Sequence, residues 1–150
     1  MSITVDVIRD VDDPAIPDDA SIEHWANLAT TKGRRESGEL CIRIVSLDES
    51  QQLNRDYRNK DKPTNVLSFP FEAPPGLPID ILGDLAICAD VVAQEAVAQN
   101  KVLAHHWAHM VIHGTLHLLG FDHINDDDAE VMEAIECELL AQLQIPDPYA

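Results

Sequence analysis

At 150 residues and 45% hydrophobic side chains, the chain is long enough to bury a core without disulfide support. Acidic residues outnumber Lys and Arg by 27 to 10, and the net charge of −17 repels nucleic acid at long range. That counts against a broadly basic nucleic-acid-binding module, but the Debye length of about 8 Å at physiological salt leaves room for a local basic patch.

Cys41, Cys88 and Cys137 are scattered, form no CxxC pair and suit a reducing compartment. The opening MSITVDVIRD lacks the basic and apolar regions of a signal peptide. No apolar run approaches the ~20 residues of a membrane span, so a cytoplasmic protein with no membrane partner is expected.

Ile3, Val5 and Val7 alternate on a first strand, Ile3–Ile8. The acidic, proline-containing stretch Asp10–Pro17 is loop. Asp18 or Asp19 caps a helix to about Thr30, with Ile22, Trp25, Ala26, Leu28 and Ala29 at helical spacing. A basic turn, Lys32–Arg35, leads to a second strand over Glu39–Ser46. Asp48 is the expected cap of a short helix carrying Leu53 and Tyr57, followed by a polar loop, Arg58–Asn65. Val66–Phe69 is a third strand, cut off by Pro70. The proline-rich segment Phe71–Leu82 reads as an irregular surface connection, and Gly83–Cys88 as a fourth strand.

From Asp90 the pattern is helical throughout. Asp90–Gln99 ends at Asn100. Val102–Leu119 has an apolar face of Leu103, Trp107, Met110, Val111, Leu116 and Leu118. Asp126–Leu143 turns Val131, Ile135, Leu139 and Leu140 inward. The order β-α-β-α-β-β-α-α-α predicts a single α+β domain over residues 1–150, with a small mixed four-stranded sheet packed on about five helices.

The most informative stretch is HGTLHLLGFDH, His113–His123. Residues four apart on a helix lie about 40° apart around the axis and one turn along it, so His113 and His117 can reach one point. Gly120 can adopt the left-handed conformation that ends a helix, after which His123 can swing back. Three imidazoles leave the fourth position of one tetrahedral Zn²⁺ open to water, the plan of a catalytic site. Zinc lowers the pKa of such a water to about 7, which points to hydrolysis.

Two kinds of bond compete. The histidines and Gly120 match the metzincin protease pattern H-E-x-x-H-x-x-G-x-x-H, but Gly114 stands where those proteases carry their general base, so a zinc peptidase lacks its mechanism. A phosphodiester gathers negative charge in its transition state, which cations stabilise. Arg55, Arg58, Lys60 and Lys62 concentrate four of the chain's ten Lys and Arg within eight residues. The zinc ligands alone do not choose among them. His109 is more simply a packed histidine than a ligand. Asp122 either orients a zinc-bound imidazole or shapes the turn. Tyr57, Phe69, Phe71 and Phe121 offer faces for base stacking, although packing needs most of them.

Leu53–Pro70, with Asn54, Tyr57, Arg58, Asp61, Pro63, Thr64 and Val66-Leu67-Ser68-Phe69-Pro70, resembles the N-x-x-Y-R-x-x-D-x-P-T-D-V-L-S-F-P signature of the YbeY family. Gly83-Asp84-Leu85-Ala86-Ile87 resembles its G-D-I-x-I strand. His109, His113, Gly114, Leu116, His117, Leu118, Gly120, Asp122 and His123 resemble its zinc motif. These blocks follow the family's order and span essentially the whole chain.

The resemblance implies a zinc-dependent endoribonuclease acting on single-stranded RNA. It also implies roles in maturing the 3′ end of small-subunit ribosomal RNA and in ribosome quality control. It assigns zinc to His113, His117 and His123 and the essential arginine to Arg58, with catalysis expected at Arg58, His113 and His117. Arg55, Lys60 and Lys62 are the expected substrate-binding cations. One departure is Asn65, where the family usually has aspartate. Small-subunit ribosomal proteins or an assembly GTPase are further expected partners. The rival is a non-catalytic ribosome assembly factor with a structural zinc.

Overall fold

The computed structural model describes residues 3–33, 37–71, 75–76, 80–122 and 125–149. Within them lie β1 (Thr4–Arg9), α1 (Asp19–Thr30), β2 (Glu39–Val45), α2 (Leu47–Arg58), β3 (Val66–Pro70), β4 (Ile81–Cys88), α3 (Ala89–Ala98), α4 (Leu103–Leu118) and α5 (Asp126–Gln142). This is the element order expected from the sequence. The four strands form one mixed sheet in the order β1-β2-β4-β3. β1, β2 and β4 run parallel, and β3 returns antiparallel along β4, pairing Val66 with Ile87 and Pro70 with Gly83.

Strand alternation sorts the core into layers. Leu40, Ile42, Ile44, Leu85 and Ile87 join Ile22 and Ala26 of α1 and Trp107, Met110 and Val111 of α4. On the opposite face, Val45, Leu67, Ala86 and Cys88 pack with Leu47 and Leu53 of α2 and Val91 of α3. A further cluster joins Ala108, Ile112 and Leu116 of α4 to Met132, Leu139 and Leu140 of α5. Helix α4 is thus sandwiched between the sheet and α5. No helix among the described residues is long and apolar enough to cross a membrane.

Three local expectations are corrected. The cap of α2 is Ser46, not Asp48: the Ser46 hydroxyl accepts from the Glu49 amide while the Glu49 carboxylate reaches back to the Ser46 amide, satisfying two donors at once. The fourth strand starts at Ile81, two residues before Gly83, because Ile81 finds a partner in Glu39. Most consequentially, α5 turns Ile135, Leu139 and Leu140 inward as expected but not Val131. Val131 is 55% exposed, whereas Met132 and Glu136 are buried with Leu139 and Leu140.

Gly114 lies where α4 meets the sheet. A Cβ there would sit 2.9 Å from Leu85 Cδ2 and 3.1 Å from Val66 Cγ2, tighter than ordinary carbon contacts, so those side chains would have to shift. A side chain at this position would press on Leu85 and Val66, so glycine suits the close approach of α4 to the sheet. The substitution Gly114→Ala is expected to destabilise the fold by about 1–3 kcal/mol, the usual cost of overpacking. Urea denaturation measures this, and an unchanged midpoint would show that α4 can lift from the sheet freely.

Candidate metal centre

Helix α4 aligns His106, His109, His113 and His117 at spacings of three and four, so they share one stripe. Its end is fixed by a Schellman motif. The Phe121 amide bonds the Leu116 carbonyl and the Gly120 amide bonds His117, with Gly120 at φ +104°. Phe121 packs into the same cluster as Leu116, so the turn is closed by apolar contact too. His113 and His117 are both half-buried, with ring centroids 4.8 Å apart and planes crossing at 81°.

Both rings line a cleft of about 1080 Å³, which also takes lining residues from α2, β2, β3 and β4. Residues 64–70 all border it, so it follows the edge strand β3. Arg58, the last residue of α2, lines the same cleft. Its helix ends there because Asn59 takes the left-handed conformation (φ 58°) and the Lys60 amide turns back to the Asn54 carbonyl. The loop beyond is tied down by two buried residues of α2. The Asn54 amide donates to the Lys62 carbonyl at 2.8 Å, and the Ser50 hydroxyl exchanges hydrogen bonds with the Thr64 backbone. The fold therefore brings an arginine from the first half of the chain to two histidines near its C-terminal end.

Behind His113 sits Glu136, which is completely buried. Its carboxylate meets His113 Nδ1 at 2.8 Å, His109 Nε2 at 3.3 Å and the Tyr149 hydroxyl. Burial alone would raise the Glu136 pKa, but the hydrogen bonds from His109 and His113 outweigh it and bring it to about 2. An ionised carboxylate only accepts hydrogen bonds, so all three partners donate to it. His113 then carries its proton on Nδ1, and in the neutral ring Nε2 holds the lone pair that a metal needs. The Tyr149 hydroxyl is held well above its ordinary pKa by burial and by the Glu136 charge.

Candidate ligand atoms of His109, His113 and Glu136 lie within 4.8 Å of one another, so this group could hold a metal ion. His109 Nδ1 is buried and has no hydrogen-bond partner among the described residues. Further along the stripe, His106 Nε2 meets Glu95 at 2.9 Å; burial holds that imidazole below its usual pKa, against the pull of Glu95.

The remaining sequence-predicted residues fall into distinct places. His123 lies outside the described residues. The Asp122 carboxylate is 3.9 Å from His117 Nδ1. Arg55 faces Asp56 at 3.7 Å and Asp61 at 3.8 Å, and Arg55, Lys60 and Lys62 stand outside the cleft lining. Arg43 of β2 does line it, with Arg58, and composition gave no signal for that residue. Tyr57 is 68% exposed, meets Phe69 edge-on at 5.0 Å and also borders the cleft, whereas Phe121 packs against the α4–α5 cluster. The Asn65 amide donates to both oxygens of Glu95, at 3.2 and 3.3 Å, which an aspartate there could not do when ionised. Glu136 was missed altogether, although its place on the face of Met132, Leu139 and Leu140 was a signal of a partnered buried charge.

A family model described as Endoribonuclease YbeY matches residues 12–144. A protein of Chromohalobacter salexigens named Endoribonuclease YbeY is 63% identical over 136 residues, covering 90% of this chain and 88% of that one. A solution structure of a Thermotoga maritima protein shares the fold, with a TM-score of 0.60 at 23% identity over 94% of this chain and 92% of the other. With the histidine stripe on α4, the signature blocks around β3 and β4, and a match over nearly its whole length, this chain belongs to the YbeY family.

Proposed function

We propose that this protein is a metal-dependent endoribonuclease that hydrolyses single-stranded RNA in the cleft beside β3. The observation that carries the reading is the convergence of Arg58 from α2 with His113 and His117 from α4 on one cleft. A 63% identical relative named as an endoribonuclease supports the substrate class.

The donor set suits one Zn²⁺ held by His113, His117 and His123. The hydrogen bond from His113 Nδ1 to Glu136 leaves Nε2 as the ligand nitrogen, and the crossed His113 and His117 rings sit close enough to share an ion. Bound there, zinc supplies a Lewis acid and a water acidified toward neutral pH. Arg58 holds the scissile phosphate and offsets the negative charge that builds as the bond to the leaving oxygen breaks. Tyr57, exposed beside Phe69, gives a base a ring to stack on. Arg55, Lys60 and Lys62 stand outside the cleft, where they draw the RNA backbone in against the overall −17 charge. The cellular setting we propose is the cytoplasm, in maturation of the 3′ end of small-subunit ribosomal RNA and in ribosome quality control. The acidic surface then serves docking to ribosomal proteins or an assembly GTPase.

Cleavage of a labelled single-stranded RNA is expected to stop with chelator and with His113→Ala, and to slow by about 10²–10³-fold with Arg58→Ala at unchanged circular dichroism. Equal rates in all these preparations would contradict the proposal. Replacing Arg55, Lys60 and Lys62 together by alanine is expected to raise KM more than it lowers kcat. It should also flatten the salt dependence of binding by about 0.7 log units per log unit of salt for each phosphate no longer neutralised. An unchanged salt slope would place these side chains off the RNA path.

A further inference from the structure

Tyr149 lies beyond residues 12–144, the segment matched to the family, yet its hydroxyl reaches the completely buried Glu136. The tail that carries it is fastened by polar contacts. The Ile145 amide bonds the Leu140 carbonyl at 2.9 Å. The Asp147 carboxylate accepts from the Tyr149 amide at 2.8 Å and from the Cys137 thiol at 3.2 Å. Ile145 also packs against the cluster between α4 and α5, and a hollow of about 310 Å³ remains between the tail and the start of α4. The Tyr149 ring also stands edge-on to His109, with centroids 5.4 Å apart.

Within the Glu136 carboxylate, the work is divided. Oε1 receives both His109 Nε2 and the Tyr149 hydroxyl, whereas Oε2 receives His113 Nδ1 at 2.8 Å. His109 and Tyr149 thus satisfy one oxygen and fix the carboxylate plane, so that the other oxygen points a lone pair at His113. A carboxylate behind a metal-bound imidazole sets its tautomer and orientation. Here a support for that carboxylate comes from the C-terminal tail.

We infer that Glu136 and Tyr149 are positioning residues for His113, the tail tyrosine steadying the carboxylate that keeps the proton on Nδ1 and presents Nε2 to the cleft. The inference rests on the metal site proposed above, but it concerns the state of the ring before any ion arrives. In Glu136→Gln the carboxamide NH₂ can face His113 and donate to Nδ1, which moves the ring proton to Nε2, the nitrogen the metal requires bare. In Tyr149→Phe the carboxylate keeps its charge and both histidines but loses its outer support.

The test measures two things in the parent, Glu136→Gln and Tyr149→Phe. The first is the His113 tautomer in metal-free protein, from ¹⁵N shifts of the imidazole. The second is Zn²⁺ affinity, by competition with a chromophoric chelator. The parent is expected to hold His113 as Nδ1–H. Glu136→Gln should shift it toward Nε2–H and weaken zinc binding by about 10–100-fold, and Tyr149→Phe should weaken it less, by roughly several-fold, with the fold intact. Unchanged tautomer and unchanged affinity in a folded Glu136→Gln would overturn the inference. Should that variant not fold, the same null result in Tyr149→Phe does so. A parent that takes up no zinc would sink the metal reading by itself, while the tautomer populations still decide whether these two residues set the ring.

Discussion

A charge with no access to water dictates much of this architecture. The Glu136 carboxylate is completely buried, and a buried ion is tolerated only when its lone pairs are filled. Two histidines of α4 and the tail tyrosine fill them. That requirement sets the rotation of α5 against α4 and brings the tail across the end of the helix pair. Removing one partner of such a buried group commonly costs about 3–5 kcal/mol, more than an exposed surface ion pair contributes. The arrangement also has a chemical result, since the nitrogen of His113 bound to Glu136 is no longer the one offered to the cleft.

The cleft depends on how near α4 comes to the sheet. Gly114 permits that approach, because Leu85 and Val66 occupy the space a side chain would need. The Ser68 hydroxyl of β3 then reaches the Gly114 carbonyl at 3.2 Å, linking the edge strand to the helix one residue past His113. The helix stops at a glycine-closed Schellman turn, and α2 stops at a left-handed Asn59 that leaves Arg58 at its tip. Two helix ends and one close packing contact therefore bring the histidines and the arginine to a common space. The strongly acidic whole and the two arginines that line the cleft, Arg43 and Arg58, are compatible because surface charge is screened within about a nanometre.

Element order, the mixed sheet and the apolar face of α4 were legible because period-2 and period-3.6 patterns there are clean. Trp107, Met110, Val111, Leu116 and Leu118 are buried as their spacing requires. The ends of α3 and α4 were legible too, since Asn100 and Gly120 are residues that tolerate positive φ. What escaped was chemistry that crosses between elements. Glu136 carries no decisive sequence mark of burial until the histidines of α4 are placed beside it. Arg43 sits in a strand of alternating apolar residues, and nothing local marks it as a cleft residue. The amide of Asn65 looked like a lost carboxylate, whereas its partner Glu95 makes an amide the better match.

The function proposed here turns on a metal ion held at the cleft side of His113, with Glu136 behind the ring as its hydrogen-bond partner. Metal content of chelator-treated, zinc-reloaded protein tests this most directly when His117→Ala and parent are compared after dialysis. One tightly held zinc per chain in the parent and its loss in His117→Ala is the result expected. Zinc retained in full by His117→Ala would contradict it, and would place the ion in the buried group of His109, His113 and Glu136 instead.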